Sequence, residues 1–309
     1  MSAKRTAKKR IRNYRIGLER AMREMIQEIS IIGAGGKMGS WFLRHFSKKS
    51  EMKVLAYDRK VLRKPPPNVT LCSNMQRCVR EADLVLVCVP IASAPSVIRN
   101  CALSMKSGGI LAEISSVKAK TFVELKKYSR KILPLCIHPM FGPGASNIRD
   151  TKVLLVPVKN EKTESDVLSS LLRGSEIIVL PTARVHDRYM AIILGLTYFV
   201  NITFAKLLSN EDIPYLQKIA GTFFRTQLLL MQGILSDDPN LVVSIMSQNL
   251  YTKKYVSEYL AQTDTLTRII KEKRDSEFLS DMIRVKSIFG RHVDLQMSYR
   301  NIYSGFTRH

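Results

Sequence analysis

The run Glu28-Ile29-Ser30-Ile31-Ile32-Gly33-Ala34-Gly35-Gly36-Lys37-Met38-Gly39 decides how the first half of the chain folds. It opens as a short apolar run rich in β-branched side chains, which suits a buried strand. It then reads G-x-x-G-x-x-G at Gly33, Gly36 and Gly39, and residues 40–46 continue as a helix former. Glycines at this spacing let the chain turn sharply, bring backbone N–H groups against a pyrophosphate, and pack the helix close to the sheet. A second apolar run, 53–58, ends in Asp58, 19 positions beyond Gly39. A carboxylate there would accept hydrogen bonds from the adenosine ribose hydroxyls.

Strand, glycine turn, helix, strand and acid together predict a Rossmann domain that binds a nicotinamide dinucleotide. The candidate cofactor-binding residues are Gly33, Gly36, Lys37, Met38, Gly39, Asp58 and Arg59, with Val89 and Pro90 at the exit of the third strand. Asp58 favours NAD because its charge would repel a 2′-phosphate. Arg59 and Lys60 follow immediately and would accommodate one, so NADP stays open.

Outward from this core, strands are expected at 28–33, 53–58, 84–89, 109–114, 132–138 and 152–157, with a shorter one at 177–180. Apolar runs alternating with helical stretches give a doubly wound parallel α/β sheet, and their uniformly apolar character suits strands buried on both faces. The run Pro65-Pro66-Pro67 reads as a surface loop. After Pro181 glycine thins out and apolar residues recur at helical spacing. The expected organisation is a basic arm at 1–28, the Rossmann domain at 29–181 and an all-helical domain at 182–309 that completes a substrate site.

Two consecutive strand exits carry chemistry: Ser115-Ser116-Val117-Lys118 follows the fourth strand, and His138-Pro139-Met140-Phe141-Gly142-Pro143 follows the fifth. A hydroxyl and an imidazole at the carboxyl edge of the sheet are what hydride loss from a carbinol carbon needs, since a base must draw on its O–H.

The G-x-x-G-x-x-G turn, S-S-V-K, H-P-M-F-G-P and a later H-D-R-Y-M-A resemble the prephenate dehydrogenase family, which includes arogenate dehydrogenases; the likeness runs from about Ile29 to the end. The resemblance implies oxidative decarboxylation of prephenate to 4-hydroxyphenylpyruvate and CO2 in tyrosine biosynthesis, with hydride passing from ring C4 to the cofactor. It makes His138 and Ser116 the catalytic residues, His138 accepting from the ring hydroxyl and Ser116 orienting it. The candidate substrate-binding residues are Tyr198, Arg225 and His186. His186 and Asp187, where a long helix opens, suit capping and orientation.

The second domain departs from the family pattern. Leu194 and Tyr198 replace a glutamine and a histidine, and Gly233 stands where many relatives carry an arginine five residues before Asp-Pro. A guanidinium is the usual bidentate clamp on a carboxylate, and Arg225 is the candidate replacement. These departures keep two alternatives open: the same hydride chemistry on another substrate such as arogenate, or a non-catalytic dinucleotide-binding protein that binds nucleic acid.

The second alternative draws on charge. Lys and Arg number 49 against 26 Asp and Glu, giving a formal net charge of +23. Residues 1–28 concentrate nine Lys or Arg against three Glu, a basic arm suited to a polyanion. Met22 or Met25 is an alternative start. The positive charge elsewhere would attract anionic metabolites. The arm lacks the apolar core of a secretory signal. Five cysteines with no C-x-x-C pair point to reduced thiols and a cytoplasmic location. The apolar stretch 190–208 is interrupted by Thr197, Asn201, Thr203 and Lys206, so it reads as a helix buried between domains or subunits of a homodimer, not as a membrane span. His45, His292 and His309 have no ligand spacing, so no metal is expected.

Overall fold

The computed structural model describes residues 26–48, 52–60 and 65–306; the basic arm as far as Met25 lies outside the described residues. Contacts divide the chain into two compact units, one ending at Tyr189 and the other beginning at Met190.

The first unit contains eight strands: β1 (Glu28–Ile32), β2 (Lys53–Tyr57), β3 (Val69–Leu71), β4 (Leu84–Val87), β5 (Ile110–Glu113), β6 (Leu133–Pro139), β7 (Lys152–Leu155) and β8 (Glu176–Val179). They form one sheet in the order β3-β2-β1-β4-β5-β6-β7-β8. Between them run α1 (Lys37–Ser47), α2 (Met75–Val79), α3 (Ala94–Ser104), α4 (Ala119–Tyr128) and α5 (Glu161–Leu171).

The period of two along a strand sends alternate side chains to opposite faces. Ile29 and Ile31 join a core with Trp41, Phe42 and Phe46 of α1 and Leu168 of α5. Ile32, Leu55, Val85 and Leu111 join the opposite core with Val79 of α2, Ile98 of α3 and Leu125 of α4. Helices therefore cover both faces, and the central strands have no polar face to show. Each fully buried Leu, Ile or Phe contributes about 1.5–3 kcal/mol through burial.

Two features differ from the expectation of a wholly parallel, seven-stranded sheet. β3 is an additional edge strand, paired parallel to β2 through Val54–Val69 and Ala56–Leu71. It is only three residues long and mostly exposed, too short for its periodicity to show. β7 pairs antiparallel to β6, with His138 opposite Leu154. The connection between them contains no helix, and without a crossover the returning strand must run antiparallel.

The second unit is helical. One helical stretch, Ala183–Leu208, crosses from the first unit into it: α6 (Ala183–Met190), a π-helical segment (Ala191–Leu196) and α7 (Thr197–Leu208). Then follow α8 (Ile213–Ile219), α9 (Thr222–Leu235), α10 (Pro239–Gln248), α11 (Thr252–Lys271), α12 (Asp275–Gly290) and α13 (Leu295–Phe306). The wide π turn falls where α11 begins: a Cβ on Gly195 would lie 2.9 Å from the Thr252 hydroxyl oxygen, so the close approach requires glycine.

The 183–208 stretch is long and apolar enough to cross a membrane by length and composition. Asn201, the buried polar residue of α7, has partners inside the bundle. Asn201 is buried, donates to the Thr197 carbonyl at 2.9 Å, and accepts from Gln227 Nε2 of α9 at 2.8 Å. Leu208, Leu228 and Met231 form a small core with Phe204 and Phe224, while Leu229, Val243 and Leu250 are more than 60% exposed. This unit keeps much apolar surface uncovered.

Candidate active site

β1 delivers the glycine turn. Gly33 has φ +84, and a Cβ on it would come 2.5 Å from the Cys88 carbonyl oxygen; a Cβ on Gly39 would overlap the Gly33 carbonyl. Both glycines are therefore demanded by the protein's own packing. Gly36 differs. Its φ of −69 suits any residue, and a Cβ there would meet nothing closer than 3.4 Å. Gly36 caps α1 with no side-chain cap, and Gly35, Gly36 and Lys37 are exposed. The Gly36 N–H is turned back to the Gly33 carbonyl at 3.1 Å, and the N-terminus of α1 beyond it is the end of a helix that favours an anion.

Asp58 follows β2 and faces this turn. Its Oδ2 accepts from Gly35 N at 2.9 Å and its Oδ1 from Lys60 N at 2.9 Å. The carboxylate thus ties the glycine turn to the loop after β2, and its remaining lone pairs can still accept. Arg59 is exposed beside it; Val89 is half-buried and Pro90 exposed after β4.

β6 carries His138 near the same end of the sheet, where it is 5% exposed. Its Nδ1 lies 3.0 Å from Nε2 of His186, which is wholly buried. His186 Nδ1 in turn lies 2.8 Å from Asp187 Oδ1. Asp187 accepts from the backbone N–H of Lys118 at 2.7 Å and of Ala119 at 2.9 Å. It therefore caps α4, whose own N-cap residue provides no side-chain bond. α6, on which both residues sit, is capped by the Thr182 hydroxyl, which accepts from Val185 N at 3.1 Å. Both ring nitrogens of His186 are engaged within the protein, so His138 separates it from any ligand on the exposed side of that ring.

Lys118 lies beneath this chain, fully buried. Its ammonium donates to Glu113 Oε1 at 2.6 Å and to the Ile137 carbonyl, joining the exits of β5 and β6. Glu113 also accepts from Ser115 N at 2.9 Å and from the Cys136 thiol at 3.2 Å. Burial first, then His186 and the Lys118 cation, hold His138 well below the ordinary histidine value. Burial also lowers His186, against the opposing pull of Asp187. Both rings are neutral at neutral pH. Ser116 sits half-buried on the turn between Glu113 and Lys118.

The loop after His138 is held from the other side. Trp41 of α1 donates its indole N–H to the Ala145 carbonyl at 2.7 Å and packs on Phe141 with ring centroids 4.9 Å apart. The helix that opens at the glycine turn thus anchors the H-P-M-F-G-P loop.

In the second unit Tyr198 is 9% exposed and donates to Asp237 Oδ2 at 3.1 Å; burial and that carboxylate push its phenol up to about 12. Arg225, with Lys218, Gln217, Gln232, Leu228 and Leu229, lines a cleft of about 400 Å³. Gly233 is exposed, and a Cβ on it would meet nothing within 4 Å.

The structure thus joins His138 to His186 directly and Ser116 to the same cluster only along the chain, while Tyr198 and Arg225 belong to the other unit. Sequence reasoning missed three contributors: Asp187 as the cap of α4, the Lys118–Glu113 pair, and Trp41. Lys118 stood in the quoted S-S-V-K, and a lysine at a junction of otherwise buried segments was the available signal.

A Rossmann sheet with an anion-ready glycine turn, followed by a helical unit, defines a two-unit nucleotide-binding protein. Residues 48–175 match the model of the prephenate dehydrogenase nucleotide-binding domain, and 182–284 match that of the prephenate dehydrogenase dimerization domain. The chain belongs to the prephenate dehydrogenase family. It is 29% identical over 275 residues to a probable arogenate/prephenate dehydrogenase of Methanocaldococcus jannaschii, covering 85% of this chain but 61% of that protein, so it spans less than two thirds of that relative's length. It is 24% identical to the T-protein of Haemophilus influenzae, covering 86% of this chain and 68% of that one. Its fold is similar to that of prephenate dehydrogenase from A. aeolicus, solved with hydroxyphenyl propionate and NAD+, with a TM-score of 0.68 and 18% identity over 87% of this chain and 99% of the other.

Proposed function

We propose that this protein is an NAD-dependent dehydrogenase that oxidatively decarboxylates prephenate to 4-hydroxyphenylpyruvate. The observation that carries this reading is His138, buried and held below the ordinary histidine value, at the carboxyl edge of the sheet that also carries a glycine turn whose central glycine the protein's own packing does not require.

The cofactor fits the residues present. Gly36 leaves open the space a side chain would take, the N-terminus of α1 suits a pyrophosphate, and Asp58 suits the ribose hydroxyls. A nicotinamide bound there supplies the acceptor for the hydride that leaves ring C4. His138 takes the C4 hydroxyl proton as the carbonyl forms. The bond to the ring carboxylate then breaks, its electron pair enters the ring, CO2 departs, and His138 returns the proton to the oxygen, giving the phenol. Ser116 orients the hydroxyl, and Arg225 pairs with a substrate carboxylate in place of the arginine that Gly233 displaces. The match to a dimerization domain and the exposed apolar side chains of the second unit support a homodimer.

A second reading keeps the chemistry and changes the substrate to arogenate. Asp237, held by Tyr198, is a carboxylate suited to the ammonium that arogenate carries and prephenate lacks. The test is turnover of the purified protein with prephenate and with arogenate, each against NAD and NADP, followed by reduced-cofactor absorbance. Reduction with prephenate and NAD supports the first reading. Reduction with arogenate alone selects the second, and no reduction with any pair overturns both.

A further inference from the structure

Taking His138 as the base, as in the reading above, we propose that Asp187 and His186 are positioning residues that fix the tautomer of His138, so that its Nε2 always presents a lone pair to the substrate. The relay is set at the end that can bond in only one way. Two backbone N–H groups, from Lys118 and Ala119, point at the Asp187 carboxylate, and a backbone N–H can only donate. Asp187 is thereby an acceptor, favoured further by its place at the N-terminus of α4. His186 Nδ1, 2.8 Å away, must donate to it. A neutral imidazole has one N–H, so His186 Nε2 carries a lone pair. That lone pair faces His138 Nδ1 at 3.0 Å, and His138 Nδ1 must donate. Nε2 of His138 is then the unprotonated nitrogen.

The chain of logic fails only if His186 is an imidazolium. Burial acts against that and outweighs the opposing pull of Asp187 and Glu113. His186 has no exposed surface, and Lys118, also fully buried, brings a cation from the start of α4. Glu113 of β5 compensates Lys118 at 2.6 Å, and Cys136 of β6 donates to the same carboxylate. Burial and the Lys118 charge lower the proton affinity of both rings. When His138 takes a proton, the imidazolium it becomes is connected through His186 to Asp187, the arrangement by which a buried carboxylate stabilises a charged histidine in an acyl-transfer triad.

The experiment uses the full chain labelled with 15N histidine. Nitrogen chemical shifts and couplings report which ring nitrogen of His138 bears hydrogen, with its signals identified by their loss in His138→Asn. The wild type is expected to carry hydrogen on Nδ1. In Asp187→Ala the acceptor that fixes His186 Nδ1–H is gone, which releases both rings and lets the His138 hydrogen move to Nε2. Turnover should then fall by roughly 100-fold to 10,000-fold in kcat with KM little changed.

A second pair of variants covers the case in which Asp187→Ala does not fold. His186→Gln places a carbonyl near the lost Nε2 and should hold the wild-type tautomer. His186→Asn is too short to reach His138, should release the tautomer, and should retain a smaller share of kcat than His186→Gln. Hydrogen on Nε2 of His138 in the wild type overturns the proposal, as does an unchanged His138 tautomer in Asp187→Ala or His186→Asn. A wild-type Nδ1–H in a protein that turns over neither prephenate nor arogenate supports the relay and removes the proposed function.

Discussion

Gly39 lies against the carbonyl of Gly33, so close that a single added carbon would overlap it, whereas Gly36, midway between them, has room for one. The three glycines of one motif are therefore held by different forces. Gly39→Ala should destabilise the fold by about 1–3 kcal/mol, as forced overpacking does, and lower Tm. Gly36→Val should leave Tm near the wild-type value and abolish NAD binding, because its side chain fills the pyrophosphate approach. Thermal melts and calorimetric titration with NAD read both. Undiminished NAD affinity in Gly36→Val would separate the turn from cofactor binding.

The Lys118–Glu113 pair is fully buried, so breaking it leaves one uncompensated charge. Lys118→Met should cost about 3–5 kcal/mol, and Lys118→Met combined with Glu113→Leu should recover much of the loss, since buried pairs are often replaceable by apolar residues. Urea unfolding of the single and double variants measures this. A double variant no more stable than the single one contradicts the charge argument.

Acid should unfold the first unit earlier than an ordinary surface histidine would allow. His138 and His186 are held below their ordinary value in the fold and regain it on unfolding, so below about pH 6.5 the unfolded chain binds more protons. Stability contributed by the neutral pair is complete above that pH and falls as the pH drops toward the folded-state values. Tm measured from pH 8 to pH 5 should decline less steeply in His138→Asn than in the wild type. Parallel declines would show that His138 does not titrate between the two states.

Gly233 is exposed, and a side chain there would meet open space. Gly233→Arg should fold normally and lower KM for a carboxylate substrate. Arg225→Gln should raise KM while changing kcat less, and the rise should shrink when Gly233→Arg is also present. Steady-state kinetics on the four proteins decide it. If Arg225→Gln leaves KM unaltered, the clamp lies elsewhere.

Much of the architecture was legible because its signals are local. The apolar run before Gly33 and the glycine spacing act within a few residues of one another, Asp58 ends the next apolar run, and the parallel pairing of the central strands follows from the alternation of strand and helix. β3 was hidden because three exposed residues carry no period, and the reversed direction of β7 because direction depends on the connection and not on the strand. At the site, His138 was marked by its motif, but the partners of its ring were not. Asp187 bonds to Lys118 across 69 positions and His186 to His138 across 48, and no local pattern encodes contacts of that span. The helix at 183 begins within the first unit for the same reason: His186 and Asp187 are bonded into it, whereas the change of composition falls at Pro181.

The most direct test of the account is kcat of His138→Asn on whichever substrate the wild type turns over best. Asparagine keeps similar size and some hydrogen bonding but lacks the basic nitrogen, so kcat should fall by roughly 100-fold to 10,000-fold, while KM and NAD affinity barely move. A kcat close to that of the wild type would mean that His138 takes no proton in the reaction and that its motif serves only to shape the loop held by Trp41.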